Sequence, residues 1–123
     1  MKRLIFTLML LVSLPILAKT INQADSNNFQ SVLNLALKGD YQAQRNIAFG
    51  YTQWPYKGQE KNPLLGCAWY LVITHSGSLK VNQGDIDNAT LNCKVLEPLA
   101  LQAAQKQAET LENTIFENRN HKK

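Results

Sequence analysis

The sequence contains few residues of the kinds that bind metals or perform nucleophilic catalysis. Its only histidines are His75 and His121, and its only cysteines are Cys67 and Cys93. Neither C-x-x-C nor H-E-x-x-H spacing occurs, so we expect no metal site. The G-x-S-x-G, Walker and G-x-G-x-x-G motifs are also missing. We therefore predict no catalytic residue and no cofactor.

Charged residues are also scarce, at 18% of the chain, and the positive excess lies at its two ends. Between residues 20 and 118 there are seven Lys and Arg against nine Asp and Glu, although the whole chain carries a formal charge of +4. Nucleic-acid binding requires Lys and Arg clustered on one folded face. We therefore expect no nucleic-acid partner.

The beginning of the sequence has the pattern of an export signal. Lys2 and Arg3 precede an apolar run over residues 4–14, and Ala18 places a small residue at the expected cleavage site. The run is well short of the ~20 residues that cross a bilayer, so we expect a cleaved signal peptide over residues 1–18 and no stable membrane anchor. The product would be exported, and periplasmic if the cell is Gram-negative.

The two cysteines favour a disulfide in an exported protein. Export places Cys67 and Cys93 where disulfides persist, and an even number of cysteines fits one bridge. The alternative is a pair of buried free thiols. A bridge at this spacing would stabilise the fold by ~3 kcal/mol in the chain-entropy model.

Apolar residues recur at helical spacing through the body of the chain, and no segment alternates with the two-residue period of a strand. The fold class is therefore predicted to be all-α. The stretch over 64–73 is apolar around most of its circumference, which is typical of a helix in the middle of a small bundle. Start and stop signals delimit five helices. The signals that separate them are Lys38-Gly39-Asp40, Pro55, Asn62-Pro63, Ser76-Gly77-Ser78, Asp85 and Glu97-Pro98, and the last helix ends near Glu117. This divides the mature chain into a polar leader (19–28), an α/α domain (29–117) and a basic disordered tail (118–123).

Within residues 36–77, glycine, alanine and aromatic landmarks keep the order and approximate spacing of a known repeat: Gly39, Ala43, Gly50, Tyr51, Trp69, Tyr70 and Gly77. With these landmarks the segment resembles a Sel-one-like repeat, an α/α unit related to the tetratricopeptide type. The segment is about 42 residues long, close to the ~40 residues of helical-hairpin repeats. Gly66, Cys67 and Ile73 depart from the repeat pattern, and the last two helices carry no second copy of it. The resemblance thus implies a compact, capped helical-hairpin array rather than a long superhelix.

Such repeats are scaffolds for binding proteins or peptides, so the resemblance implies a non-catalytic binding module. The best candidate surface is the loop over residues 54–60, where aromatic residues beside Pro55 suit a recognition hot spot. The alternative is that Trp54 completes the apolar stripe of the second helix and that Tyr56 packs beneath the loop. The candidate partner-binding residues are Trp54, Tyr56, Lys57 and Glu60.

Two other functions compete with the binding module. One is an immunity or inhibitor protein that neutralises a toxin or an enzyme acting on the cell envelope. The other is a small envelope hydrolase, in which His75 would act as a base near Ser76. The hydrolase is disfavoured because the sequence supplies no group to orient that base, and a histidine near a helix end more often caps carbonyls or lies at the surface.

Overall fold

The computed structural model describes residues 28–122, and no strand occurs within that range. The prediction of an all-α chain with five helices is therefore confirmed. The predicted signal peptide (1–18) and nearly all of the polar leader (19–28) lie outside the described residues. The helices are α1 (Phe29–Leu37), α2 (Tyr41–Thr52), α3 (Pro63–His75), α4 (Gln83–Lys94) and α5 (Pro98–Asn120).

Local sequence signals set the first helix boundaries. The Asp40 side chain accepts a hydrogen bond from the Ala43 backbone N–H at 2.8 Å and caps α2. Asn62 caps α3 in the same way, with Pro63 in the first turn. Gly39 has a φ of +92°, a conformation that favours glycine. These signals produce a tight α1–α2 hairpin followed by an independently started α3.

Helix α3 lies at the centre of the structure, as its uniformly apolar circumference predicts. Helices α2, α4 and α5 all pack against it. On α3, Ile73 is fully buried and Trp69 is almost fully buried. Ile47 of α2 is fully buried in the same core. A helix with neighbours on three sides has little face left for solvent, which explains its composition.

Helix α5 crosses the bundle and attaches to the far hairpin. Its principal packing partner is α3, and it also contacts α1. The Asn118 side chain donates to the Leu37 carbonyl at 2.8 Å, and Arg119 donates to the Gly39 carbonyl at 3.3 Å. These bonds satisfy carbonyls at the end of α1. They also attach the last turn of α5 to α1, and α5 continues to Asn120. Helix α5 therefore extends three residues past the predicted end of the helical domain at residue 117.

A disulfide joins α4 to the central helix. Cys67 and Cys93 are bridged, with their Cα atoms 4.9 Å apart, which confirms the predicted pairing. Helix α4 begins at Gln83 and is capped by Asn82, two residues before the predicted start at Asp85. Asp85 instead occupies the third helical position, where its carboxylate completes a capping box.

Candidate functional site

The residues after α2, which we call the aromatic loop (54–60), present a tryptophan to solvent. The helix ends at Thr52, and the Trp54 backbone N–H donates to the Phe49 carbonyl as the chain turns away. The Trp54 side chain is 77% exposed. The interpretation in which Trp54 completes the buried stripe of α2 is therefore wrong, because the helix ends two residues before it.

Tyr56 has a different environment from Trp54. It is half-buried and packs against the main core cluster, as the alternative interpretation of this residue stated. Lys57 and Glu60 are exposed and lie outside the shallow depression that the aromatic side chains form. That depression has a volume of about 250 Å³ and is lined by Asn46, Phe49, Trp54, Pro55 and Tyr56.

A buried glutamine, which sequence reasoning missed, holds the aromatic loop in place. Gln59 is only 6% exposed. Its Nε2 donates to the Ile47 carbonyl, and its Oε1 accepts from the Tyr56 backbone N–H, both at 3.1 Å. Gly50 makes room for this amide, because a Cβ at that position would overlap the Gln59 side chain. The loop is thus fixed to α2 by an amide that satisfies two backbone groups at once.

The fold also encloses a buried carboxylate that joins α4 to α2. Asp85 is fully buried. Its Oδ2 accepts from the Tyr41 hydroxyl at 2.6 Å and from the Asn82 backbone N–H at 3.0 Å. Arg45 places Nε 3.0 Å from Oδ1, close enough for an ion pair but not in hydrogen-bond geometry. The spacing of Tyr41 and Arg45, four residues apart on one helix face, is the sequence signal for this cluster.

This cluster changes the ionisation of its tyrosine. The hydrogen bond to Asp85, together with desolvation and the carboxylate charge, raises the pKa of Tyr41 above its ordinary value, and Arg45 partly opposes that shift. The neutral phenol is favoured because it donates the hydrogen bond to Asp85. Burial alone raises the pKa of Tyr51.

His75 and Ser76 have separate partners at the end of α3. The Nδ1 atom of His75 lies 2.8 Å from Glu112 Oε1 on α5. The Ser76 hydroxyl donates to the Ile73 carbonyl at 2.7 Å, which caps the helix end. No hydrogen bond links His75 to Ser76 among residues 28–122. The two residues that sequence analysis considered for base catalysis therefore have helix-packing and capping roles in this geometry.

A larger cleft, which sequence analysis did not identify, runs beside the His75–Glu112 pair. It has a volume of about 350 Å³, within the ~300–1,000 Å³ range of ligand clefts. Gln44 of α2 contributes a buried side chain to it. Its other lining residues come from the last turn of α3 and from α5: Val72, His75, Ser76, Glu112, Asn113, Ile115, Phe116 and Arg119.

The residues that resemble repeat landmarks mostly have packing or turn roles. Gly39 and Gly77 both have positive φ angles, and Tyr51 packs on the edge of the core. The remaining landmarks are buried: Ala43, Gly50, Trp69 and Tyr70. The landmark residues therefore have structural roles in helix contacts and turns. Membership of a repeat family stays a prediction.

Comparison of the chain with protein-family models, curated proteins and solved structures returns no match. The described residues contain no group of three or more His, Cys, Asp or Glu side chains placed to hold a metal ion. None of the described helices is both long and apolar enough to span a bilayer.

Proposed function

We propose that this chain is an exported, non-catalytic protein-binding module of the Sel-one-like type and that its partner docks on the aromatic loop. The observation that carries the proposal is the 77% exposure of Trp54 on a loop whose backbone is fixed by the buried Gln59. Tryptophan is enriched among binding hot spots. Fixing the loop before binding reduces the conformational entropy lost on association.

The residues around Trp54 are of the kinds that bind the surface of a protein partner. Phe49 is 48% exposed and shares the depression with Trp54 and Tyr56, so a partner side chain would meet aromatic faces on several sides. Lys57 and Glu60 are exposed near this centre. They place charges of both signs on the same loop, and charged residues beside a docking centre guide association more than they add affinity.

Export is supported by the bridge between Cys67 and Cys93, because disulfides persist mainly in oxidising compartments. The assignment as non-catalytic is supported by the separate hydrogen-bond partners of His75 and Ser76. A serine nucleophile would need a base within hydrogen-bond reach.

A protruding tryptophan also suits the second candidate, an immunity or inhibitor protein. The exposed ring of Trp54 could insert into the cleft of an enzyme, whereas a flat docking surface could not. Under this alternative the partner is a toxin or an envelope enzyme. Its activity would fall when the chain is added in stoichiometric amount, and the Trp54→Ala variant would not reduce it.

The test compares variants of two exposed apolar residues. Wild-type, Trp54→Ala and Leu79→Ala proteins are used to capture partners from envelope extract. Leu79 is fully exposed in the α3–α4 connection and serves as the matched control. We expect a partner that wild-type and Leu79→Ala retain and Trp54→Ala loses. With the purified partner, Trp54→Ala should weaken binding by about 2 kcal/mol or more, roughly 30-fold. Equal binding by all three proteins would refute the loop as the docking site.

A further inference from the structure

The cleft between α3 and α5 contains an uncommitted hydrogen-bond acceptor in its floor. Gln44 is 3% exposed, and its Nε2 donates to the Ala36 carbonyl at 3.1 Å. Its Oε1 accepts no hydrogen bond from the described residues, yet it is not a fully enclosed atom. Because this oxygen is accessible to solvent and has no donor among the described residues, a ligand N–H in the cleft can take the place of water on it.

The same cleft has an unpaired cation at one end. The Arg119 guanidinium donates to the Gly39 carbonyl, but no carboxylate among residues 28–122 pairs with it. The nearest acidic residue in the lining, Glu112, is already paired with His75. Glu112 precedes Arg119 by seven residues on α5, about 10 Å along the helix axis. A ligand carboxylate at Arg119 would therefore be attracted there with little repulsion from Glu112.

An exposed apolar surface adjoins that cation. Phe116 is 67% exposed, whereas Val72 and Ile115 are buried in the cleft wall. The cleft thus combines an apolar wall, an amide acceptor and a positive charge, the three features that a peptide with an apolar and an acidic side chain would meet.

We propose that this cleft binds a short extended peptide in which an apolar side chain adjoins an Asp or Glu side chain. The ligand carboxylate pairs with Arg119, the apolar side chain packs against Phe116, and a peptide N–H donates to Gln44 Oε1. This site is separate from the aromatic loop, so it does not depend on the docking proposed for Trp54.

The test uses two pools of hexapeptides with acetylated and amidated ends, so that the only carboxylate is the one under study. One pool has a fixed Phe-Asp centre and the other a Phe-Asn centre, with uncharged residues elsewhere. Fluorescence anisotropy with wild-type protein should show the Asp pool binding about tenfold more tightly than the Asn pool, the ratio expected for one charge-assisted pair. Equal binding of the two pools, or no binding of either, would overturn the proposal.

Variants assign the discrimination to its residue. Arg119→Gln should bind both pools with the same affinity, whereas Lys122→Gln, which removes an exposed charge three residues away, should keep the tenfold ratio. Phe116→Ala should weaken both pools equally, because it removes the apolar contact and leaves Arg119. Retained discrimination by a folded Arg119→Gln protein would overturn the proposal. Trp54→Ala should leave peptide binding unchanged, which separates this site from the aromatic loop.

Discussion

Replacing Asp85 tests whether the buried carboxylate anchors α4 to α2. The Asp85→Asn change keeps the side-chain volume and removes the charge. The asparagine amide oxygen can take the place of Oδ2 and accept both hydrogen bonds, from Tyr41 and from the Asn82 backbone, but as a neutral acceptor. The asparagine NH₂ group cannot accept from a donor, and the attraction of Arg45 at 3.0 Å is lost.

The expected cost follows from these contacts. A hydrogen bond to a charged group contributes about 1.5–3 kcal/mol and one to a neutral group about 1 kcal/mol, so weakening both bonds costs roughly 2 kcal/mol or more. The side chain of Arg45 is 36% exposed, so its ion pair is solvent-screened and adds at most about 1 kcal/mol. We therefore expect Asp85→Asn to lower the free energy of unfolding by about 3 kcal/mol, which for a domain of this size lowers Tm by roughly 12–24 °C.

Urea unfolding followed by far-ultraviolet circular dichroism measures this difference directly. Asp87→Asn is the matched control, because Asp87 lies on the same helix, is exposed, and accepts only from the Gln83 side chain. Its cost should stay within about 0.5 kcal/mol. Should the two variants unfold at the same urea concentration, the carboxylate of Asp85 would not be the anchor that its contacts indicate.

Three further predictions concern stability and ionisation. Replacing Cys67 and Cys93, which lie 26 positions apart, by alanine should lower the free energy of unfolding by about 3.5 kcal/mol in the chain-entropy model, and alkylation of unreduced native protein should find no free thiol. Gly50→Ala should displace the Gln59 amide and cost about 1–3 kcal/mol in urea unfolding, whereas an unchanged midpoint would show that the loop accommodates the methyl group. The raised pKa of Tyr41 stabilises the fold fully below pH 10 and loses this effect as pH rises through the folded value. In an absorbance titration, one tyrosine of the Asp85→Asn protein should ionise at a lower pH than in the wild type. Identical titration curves would contradict Asp85 as the cause of the raised pKa of Tyr41.

Apart from the Cys67–Cys93 bridge, which the even number of cysteines indicated, the features that could be predicted from the sequence depend on a few neighbouring residues. Asp40 and Asn62 cap the helices that directly follow them. The start of each of these helices is therefore determined within four consecutive residues. The stripe argument failed at Trp54 because periodicity does not show where a helix stops. The composition of the chain end likewise did not show that α5 passes residue 117, because Asn118 is held by the Leu37 carbonyl, 81 positions away.

The candidate sites show the same difference between local and distant information. Exposed aromatic residues beside Pro55 marked the loop, but its rigidity depends on Gln59, whose partner Ile47 is 12 positions away. The α3–α5 cleft had no local signal, since Gln44 and Arg119 become neighbours of one cavity only when α5 crosses to α1. The contact between α5 and α1 therefore also affects the α3–α5 cleft. The Asn118 and Arg119 bonds to α1 hold one wall of the cleft in place, so peptide binding there should stabilise the end of α5 and slow amide exchange in its last turns.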